Sequence, residues 1–169
     1  MYIFLHMSFQ TITLTQTPEH ARRSRNLIVN SIDAKLWENI NDFPSIKMLD
    51  IWCGAGNLIR HARSLGVDAH GIDVNLFHNN QDLPIVQWNI ADMPFADATF
   101  NLVHAYGVFD PRLYPQDLPK AFAEIARVTE PKGLFFIVDM DMPAQEIIEQ
   151  AWLQLINAMS RGGKIFQKR

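Results

Sequence analysis

Apolar positions along this chain follow two rhythms. Short, mostly apolar runs occupy 46–51, 67–72, 85–88, 100–105 and 134–138. They are too short for helices, and each predicts a strand buried between layers. Between them the spacing becomes helical. From Gly56 onward Leu58, Ile59, Ala62 and Leu65 recur at helical intervals, and Gly66 closes that helix. Over 118–128 Ala121, Phe122, Ile125 and Val128 fall on one helical face, and Glu130-Pro-Lys-Gly133 then turns the chain into the fifth strand. Asp141 and Pro143 open a further predicted helix, whose stripe of Ile147, Ile148, Ala151, Trp152, Leu155, Ile156 and Met159 runs to Gly162-Gly163. Near the start, Thr17-Pro18 opens one long helix or two shorter ones over 19–40, and Pro44 breaks it before the first strand. The segment 75–82 has room for about two helical turns, so cover on that side of the sheet is expected to be thin.

Strands alternating with helices imply an α/β protein with a doubly wound, mostly parallel sheet and helices on both faces. Right-handed crossovers then put a ligand crevice at the carboxyl ends of the strands. No repeat or linker divides the 169 residues, which suit a single domain with one core.

Composition narrows the class. A formal net charge of −3 gives no field that would hold a polyanion, so nucleic acid is not predicted from charge. The single cysteine, Cys53, excludes an internal disulfide and fits a reducing compartment, read as cytoplasm. The apolar start 1–6 is too short to span a bilayer and follows no basic residue, so neither a membrane segment nor a secretory signal is expected. The histidines show no paired spacing with cysteine or carboxylate, and no metal is predicted.

Candidate chemistry gathers at the strand ends. In Met48-Leu-Asp-Ile-Trp-Cys-Gly-Ala-Gly-Asn57 a strand runs through Asp50 into a turn carrying Gly54 and Gly56, as an adenosine-type ligand above a parallel sheet requires. Asp73 ends the next strand, where a carboxylate can accept hydrogen bonds from both ribose hydroxyls. Further on come Asn89-Ile-Ala-Asp-Met-Pro-Phe-Ala-Asp-Ala-Thr-Phe-Asn-Leu-Val103 and Ala121-Phe-Ala-Glu-Ile-Ala-Arg-Val-Thr-Glu-Pro-Lys-Gly-Leu-Phe-Phe-Ile137. Taken in this order, the four stretches resemble the class I S-adenosylmethionine-dependent methyltransferases over about 46–139, the Rossmann-like core of that family. The N-terminal strand and helical segment 1–45 and the C-terminal helix and tail 140–169 flank it.

The resemblance implies S-adenosyl-L-methionine as cofactor. It assigns donor binding to Asp50, Trp52, Gly54, Gly56, Asp73, Val74, Asn89, Ile90 and Ala105. Asn89 stands where the family has the acid that reads the adenine amino group, and its carbonyl can still accept that hydrogen bond. Met93, Pro94 and Phe95 would wall the ring, and the Glu124-x-x-Arg127 helix would be architectural. Trp52 replaces the family's first glycine, so its indole either fills volume near the methionine end of the donor or turns into the sheet. The chain after 140 looks too short for the antiparallel hairpin that completes the family's sheet. That would leave the fifth strand at an edge, open to a homodimer partner or to the alternating segment 9–14.

As an enzyme, the protein would move a methyl group to a small-molecule hydroxyl or amine, mainly by alignment and exclusion of water. His104 and Asp110 are the candidate bases, with Tyr106 and Phe109 as acceptor walls. The Asn-Pro-Pro-aromatic motif of amino-methylating nucleic-acid enzymes is absent, and Cys53 reads as a packing residue. A nicotinamide oxidoreductase fits less well, because there is no Tyr-x-x-x-Lys pair. The alternative of another class is a catalytically inactive methyltransferase-like binding or assembly module, motivated by Trp52, the short crossover and the missing hairpin.

Overall fold

The computed structural model describes residues 45–75, 81–109, 118–138, 148, 153–158 and 163–169. In chain order they form β1 (Lys47–Ile51), α1 (Asn57–Ser64), β2 (Asp68–Asp73), β3 (Ile85–Gln87), β4 (Phe100–Tyr106), α2 (Leu118–Val128), β5 (Thr129–Val138), β6 (Leu153–Ala158) and β7 (Gly163–Lys168). The predicted helix over 19–40, the segment 9–14 and most of the crossover 75–82 lie outside the described residues.

One seven-stranded sheet carries the order β3-β2-β1-β4-β5-β7-β6. All pairings from β3 to β5 are parallel, and β7 pairs antiparallel with both β5 and β6. The chain leaves β1 toward β2 and β3, then returns to the other side of β1 to make β4. That reversal opens a crevice between the ends of β1 and β4.

The two described helices lie on opposite faces. A Cβ added to Gly71 would come within 2.4 Å of Ile59 Cδ1 of α1, so α1 packs directly on β2 there. The next residue, Ile72, belongs instead to the cluster that holds Ala121, Phe122, Ile125 and Val128 of α2. The predicted face of α2 is therefore the buried one. In α1, Leu58, Ile59 and Ala62 are buried as predicted, but Leu65 caps the helix and is exposed. Gly66, at φ +90°, turns the chain out of the helix.

The C-terminal part departs most from expectation. The helix predicted from Asp141 to Gly162-Gly163 gives way to strand over Leu153–Ala158, and Ile148 alone among 139–152 is described, as a buried helical residue. Leu-Gln-Leu-Ile-Asn-Ala satisfies a strand period as well as a helical one, and pairing with β7 decides between them. Ile165 and Phe166 of β7 are both buried although they point to opposite faces. Phe166 also stacks on Phe135 at 6.2 Å, which ties the hairpin to the core. The C-terminal part is thus not reduced, and the family-type hairpin is complete. β5 lies between β4 and β7, so it offers no edge to segment 9–14, and the edge argument for a homodimer lapses.

The expected turn at Glu130-Pro-Lys-Gly133 is an irregularity inside β5. Register slips between Phe100↔Thr129 and Leu102↔Leu134, with Lys132 at φ +65°. The hairpin fastens it: Gln167 donates to the Lys132 carbonyl at 3.0 Å and Lys168 Nζ to the Thr129 carbonyl at 2.7 Å. No helix among the described residues is long and apolar enough to cross a membrane.

Candidate functional site

The loop after β1 is built from left-handed backbone. Trp52, Gly54 and Gly56 have φ of +57°, +53° and +72°. Gly56 also caps α1, accepting from the Arg60 N–H at 2.9 Å. A left-handed conformation costs a non-glycine residue about 1–2 kcal/mol, so Trp52 holds a geometry that would suit glycine better. Of the two places open to its indole, the structure shows it partly buried against the hydrophobic core. Beside Gly54 an added Cβ would meet nothing within 4 Å, so the loop backbone faces open space where a ligand can approach closely.

Asp73 holds this loop from the neighbouring strand. Its Oδ2 accepts the Gly54 N–H at 2.9 Å and its Oδ1 the Asn75 N–H at 2.8 Å. The carboxylate is buried, and burial is the main reason its pKa lies above the ordinary value. The backbone N–H groups of Asn75, Gly54 and Val74 oppose that shift, and the charge of Asp50 adds to it. No lysine or arginine among the described residues pairs with it. A carboxylate accepts about four hydrogen bonds, so acceptor capacity remains for a hydroxyl donor. Val74 follows it, with its carbonyl accepting from Gln87 Nε2 at 2.9 Å.

Asp50 and His104 pair across β1 and β4, where they stand in register, with Nδ1 of His104 donating to Oδ1 of Asp50 at 2.7 Å. His104 is 3% exposed. Its ring is enclosed and its Nδ1 is committed to Asp50. Asp110 lies outside the described residues. Cys53 sits between Asp50 and Asp73; burial first, and then both negative charges, push its thiol far above the ordinary value, so it is inert as a nucleophile. Ala105, the last residue but one of β4, is buried and pairs with Ile51. Tyr106 is exposed at that strand end, but Phe109 is not. It is fully buried against Phe122 at 4.7 Å and belongs to the core.

The loop after β3 is held from outside. Asn89 is exposed, and its Oδ1 accepts the Ala91 N–H at 2.9 Å, a turn that leaves a second lone pair on that oxygen. Ile90 and Met93 are buried in the core cluster, Phe95 packs edge-on to Phe100 at 5.0 Å, and Pro94 is exposed. Met93 and Phe95 therefore pack the loop onto the sheet. Sequence reasoning assigned Glu124 and Arg127 to architecture without seeing what they hold. Glu124 Oε2 accepts the Met93 N–H at 2.7 Å, while Arg127 donates to the carbonyls of Phe95 and Met93 at 2.7 and 3.0 Å and to Asp97 at 2.8 Å. Arg127 also forks onto both oxygens of Glu124 at 2.7 Å. The signal was the i,i+3 spacing of the pair, which puts both on one face of α2.

Known proteins agree with this architecture. A TehB-like SAM-dependent methyltransferase from Corynebacterium glutamicum superposes with a TM-score of 0.66 at 21% identity, over 89% of this chain and 97% of that one. In sequence, an uncharacterised methyltransferase of Synechocystis is 30% identical over 71% of this chain and 65% of its own length. A sterol 24-C-methyltransferase of Gibberella zeae is 26% identical over 71% of this chain and 35% of its own length. The chain thus spans less than two thirds of either relative. A family model described as a methyltransferase domain covers residues 49–137, from the first strand through the fifth, and the chain belongs to that family.

Proposed function

We propose that the protein is an S-adenosylmethionine-dependent methyltransferase acting on a small molecule that offers a hydroxyl or an amine. The observation that carries this reading is the contact between Asp73 and the Gly54 N–H. It ties the end of β2 to the loop after β1, beside the topological switch point, and leaves a buried carboxylate without a cationic partner among the described residues. Bound there, the donor supplies an activated methyl group on a sulfonium. The residues present suit such a ligand. Gly54 and Gly56 let the main chain pass beneath it, and Asp73 has acceptor capacity left for the ribose hydroxyls. Asn89 and the Ile90 amide stand on the loop that faces the adenine, and the latch from α2 fixes that loop. Asp50 and Ala105 close the floor of the crevice. Tyr106, exposed at the end of β4, borders the acceptor side.

The protein's part in the reaction is alignment. Holding a nucleophile in line with the methyl group and excluding water needs no covalent catalyst. Completion of the hairpin removes one motive for an inactive assembly module, and the favourable fit at Asp73 favours a ligand-binding site.

Calorimetric titration with S-adenosylmethionine tests the reading. A dissociation constant of micromolar order is expected, together with a thermal upshift that grows with donor concentration. Asp73→Ala should weaken binding about tenfold or more, since each lost hydrogen bond to a charged group is worth about 1.5–3 kcal/mol. No heat and no thermal shift at millimolar donor would overturn the proposal.

A further inference from the structure

Across four adjacent strands Gly71, Asp50, His104 and Phe136 stand in one register row, so they share a face of the sheet. Gly71 contributes no side chain, and Cys53 Sγ and Ile59 close in on the space a Cβ would take. His104 lies between Asp50, hydrogen-bonded at 2.7 Å, and Phe136, on which its ring stacks at 5.6 Å. Both members of the pair are buried, Asp50 at 5% exposure. Nε2 of His104 has no hydrogen-bond partner among the described residues. Among the described residues His104 is also the only side chain bonded to Asp50.

This pair is poorly explained by stability. Burying a carboxylate and an imidazole costs desolvation that their attraction scarcely repays, and apolar side chains of similar volume would fill the same row at least as well. The unpartnered Nε2 adds a further penalty. What the arrangement does achieve is orientation. A carboxylate only accepts, so the proton of the hydrogen bond belongs to Nδ1, and the stacked, enclosed ring cannot swing away. Oδ1 of Asp50 is thereby occupied and its carboxylate plane fixed, while Oδ2 is left for another donor.

We propose that His104 is a positioning residue for recognition of the amino-acid portion of the methyl donor. It holds the Asp50 carboxylate so that Oδ2 meets the ligand's α-ammonium. This rests on the donor reading above, and it gives His104 a role other than proton abstraction. A charge-assisted hydrogen bond at a water-poor strand end is stronger than a neutral one, but only if the acceptor is already aimed.

The test uses two ligands with the same adenosine and different tails: S-adenosylhomocysteine, which carries the α-ammonium, and 5′-methylthioadenosine, which lacks the amino-acid portion. Their dissociation constants are measured by calorimetry on the full chain. The parent should bind S-adenosylhomocysteine the more tightly. His104→Phe keeps the ring stacked on Phe136 but removes the Nδ1 donor. It should weaken S-adenosylhomocysteine about tenfold, while 5′-methylthioadenosine changes by no more than about twofold. His104→Asn, whose amide N–H falls near the position of Nδ1, should restore the preference.

A merely structural histidine would lower both affinities together, and an unchanged ratio overturns the inference. Should His104→Phe not fold, His104→Asn and His104→Gln decide. Asn keeps the preference and Gln, whose amide lies further out, loses it; equal ratios overturn the proposal. A parent that binds both ligands equally sinks this inference and leaves the adenosine site standing. A parent that binds neither removes the donor reading itself, and the role of His104 with it.

Discussion

Two carboxylates anchor the loops at the carboxyl end of the sheet, and their surroundings shift them in opposite directions. Asp73, holding the loop after β1, is raised mainly by burial and, among the described residues, has only backbone N–H partners. Glu124, holding the loop after β3, is lowered mainly by its hydrogen bonds with Arg127. One charge is left electrostatically unsatisfied beside open backbone, and the other is neutralised by a fork of guanidinium donors. The difference separates a group free to take a ligand from a group that finishes the fold.

The largest expected effect falls on the neutralised side. Arg127→Ala removes the donors to two carbonyls and two carboxylates and strands Glu124 against the loop. Urea denaturation should show a loss of about 2–3 kcal/mol, the range for charged hydrogen bonds in a part-buried network. Hydrogen exchange should rise in 89–99 before it rises around Gly54. If both loops open together, they are one unit, and the comparison fails.

On the other side, Gly71→Ala drives a methyl group toward Ile59 Cδ1 at 2.4 Å and Cys53 Sγ at 2.6 Å. Both contacts are side-chain ends that can shift, so the expected cost is about 1–2 kcal/mol of stability, toward the lower end for overpacking. The change lies directly beneath the first loop. Donor affinity should therefore fall in this variant, whereas the part of the loop near Arg127 keeps its exchange protection.

Acid separates the two anchors. Because the folded pKa of Glu124 is depressed, its ionised form stabilises the fold above its ordinary value of 4.5, and that contribution is lost as pH falls through the lowered value. Asp73 has the opposite sign: its folded pKa is raised above 3.8, so folding gains as pH falls through the raised value toward the ordinary one. The melting-temperature difference between the parent and Glu124→Gln should be constant near neutrality and close on acidification. Donor affinity, which needs ionised Asp73, should weaken as pH falls through that raised value. An affinity that holds on acidification while the difference closes would break the assignment of the ligand to Asp73.

How much of this was legible in the sequence follows the same division. The strands through β4 and the face of α2 were readable because apolar spacing and burial coincide there, and Asp50, Gly54, Gly56 and Asp73 stood out because a strand, an acid and left-handed turns leave a local pattern. Partnership across the sheet did not. Nothing local says that His104 faces Asp50 or that Glu124 and Arg127 grip 93–97, since each contact joins residues about 30 to 54 positions apart. The hairpin was hidden for another reason. The apolar residues of 147–159 fit a helical stripe, Gly162-Gly163 mimics a helix stop, and only the burial of Ile165 and Phe166 on opposite faces reveals an interior strand.

The smallest effect should come from Trp52→Gly, and it sharpens the comparison most. Relief of the left-handed conformation returns about 1 kcal/mol. Against it stand the lost contact of a partly buried indole, about 1–2 kcal/mol, and the extra chain entropy of glycine. Stability should therefore change by no more than about 1 kcal/mol, on the destabilising side. Because the indole packs on the core, donor affinity should change by less than about threefold. A gain of about tenfold, roughly 1.4 kcal/mol, would mean that the indole occupies ligand volume after all. In that event Asp73 would anchor a loop that its own tryptophan keeps partly closed, and the unsatisfied carboxylate would mark a site restrained by this chain rather than one held open.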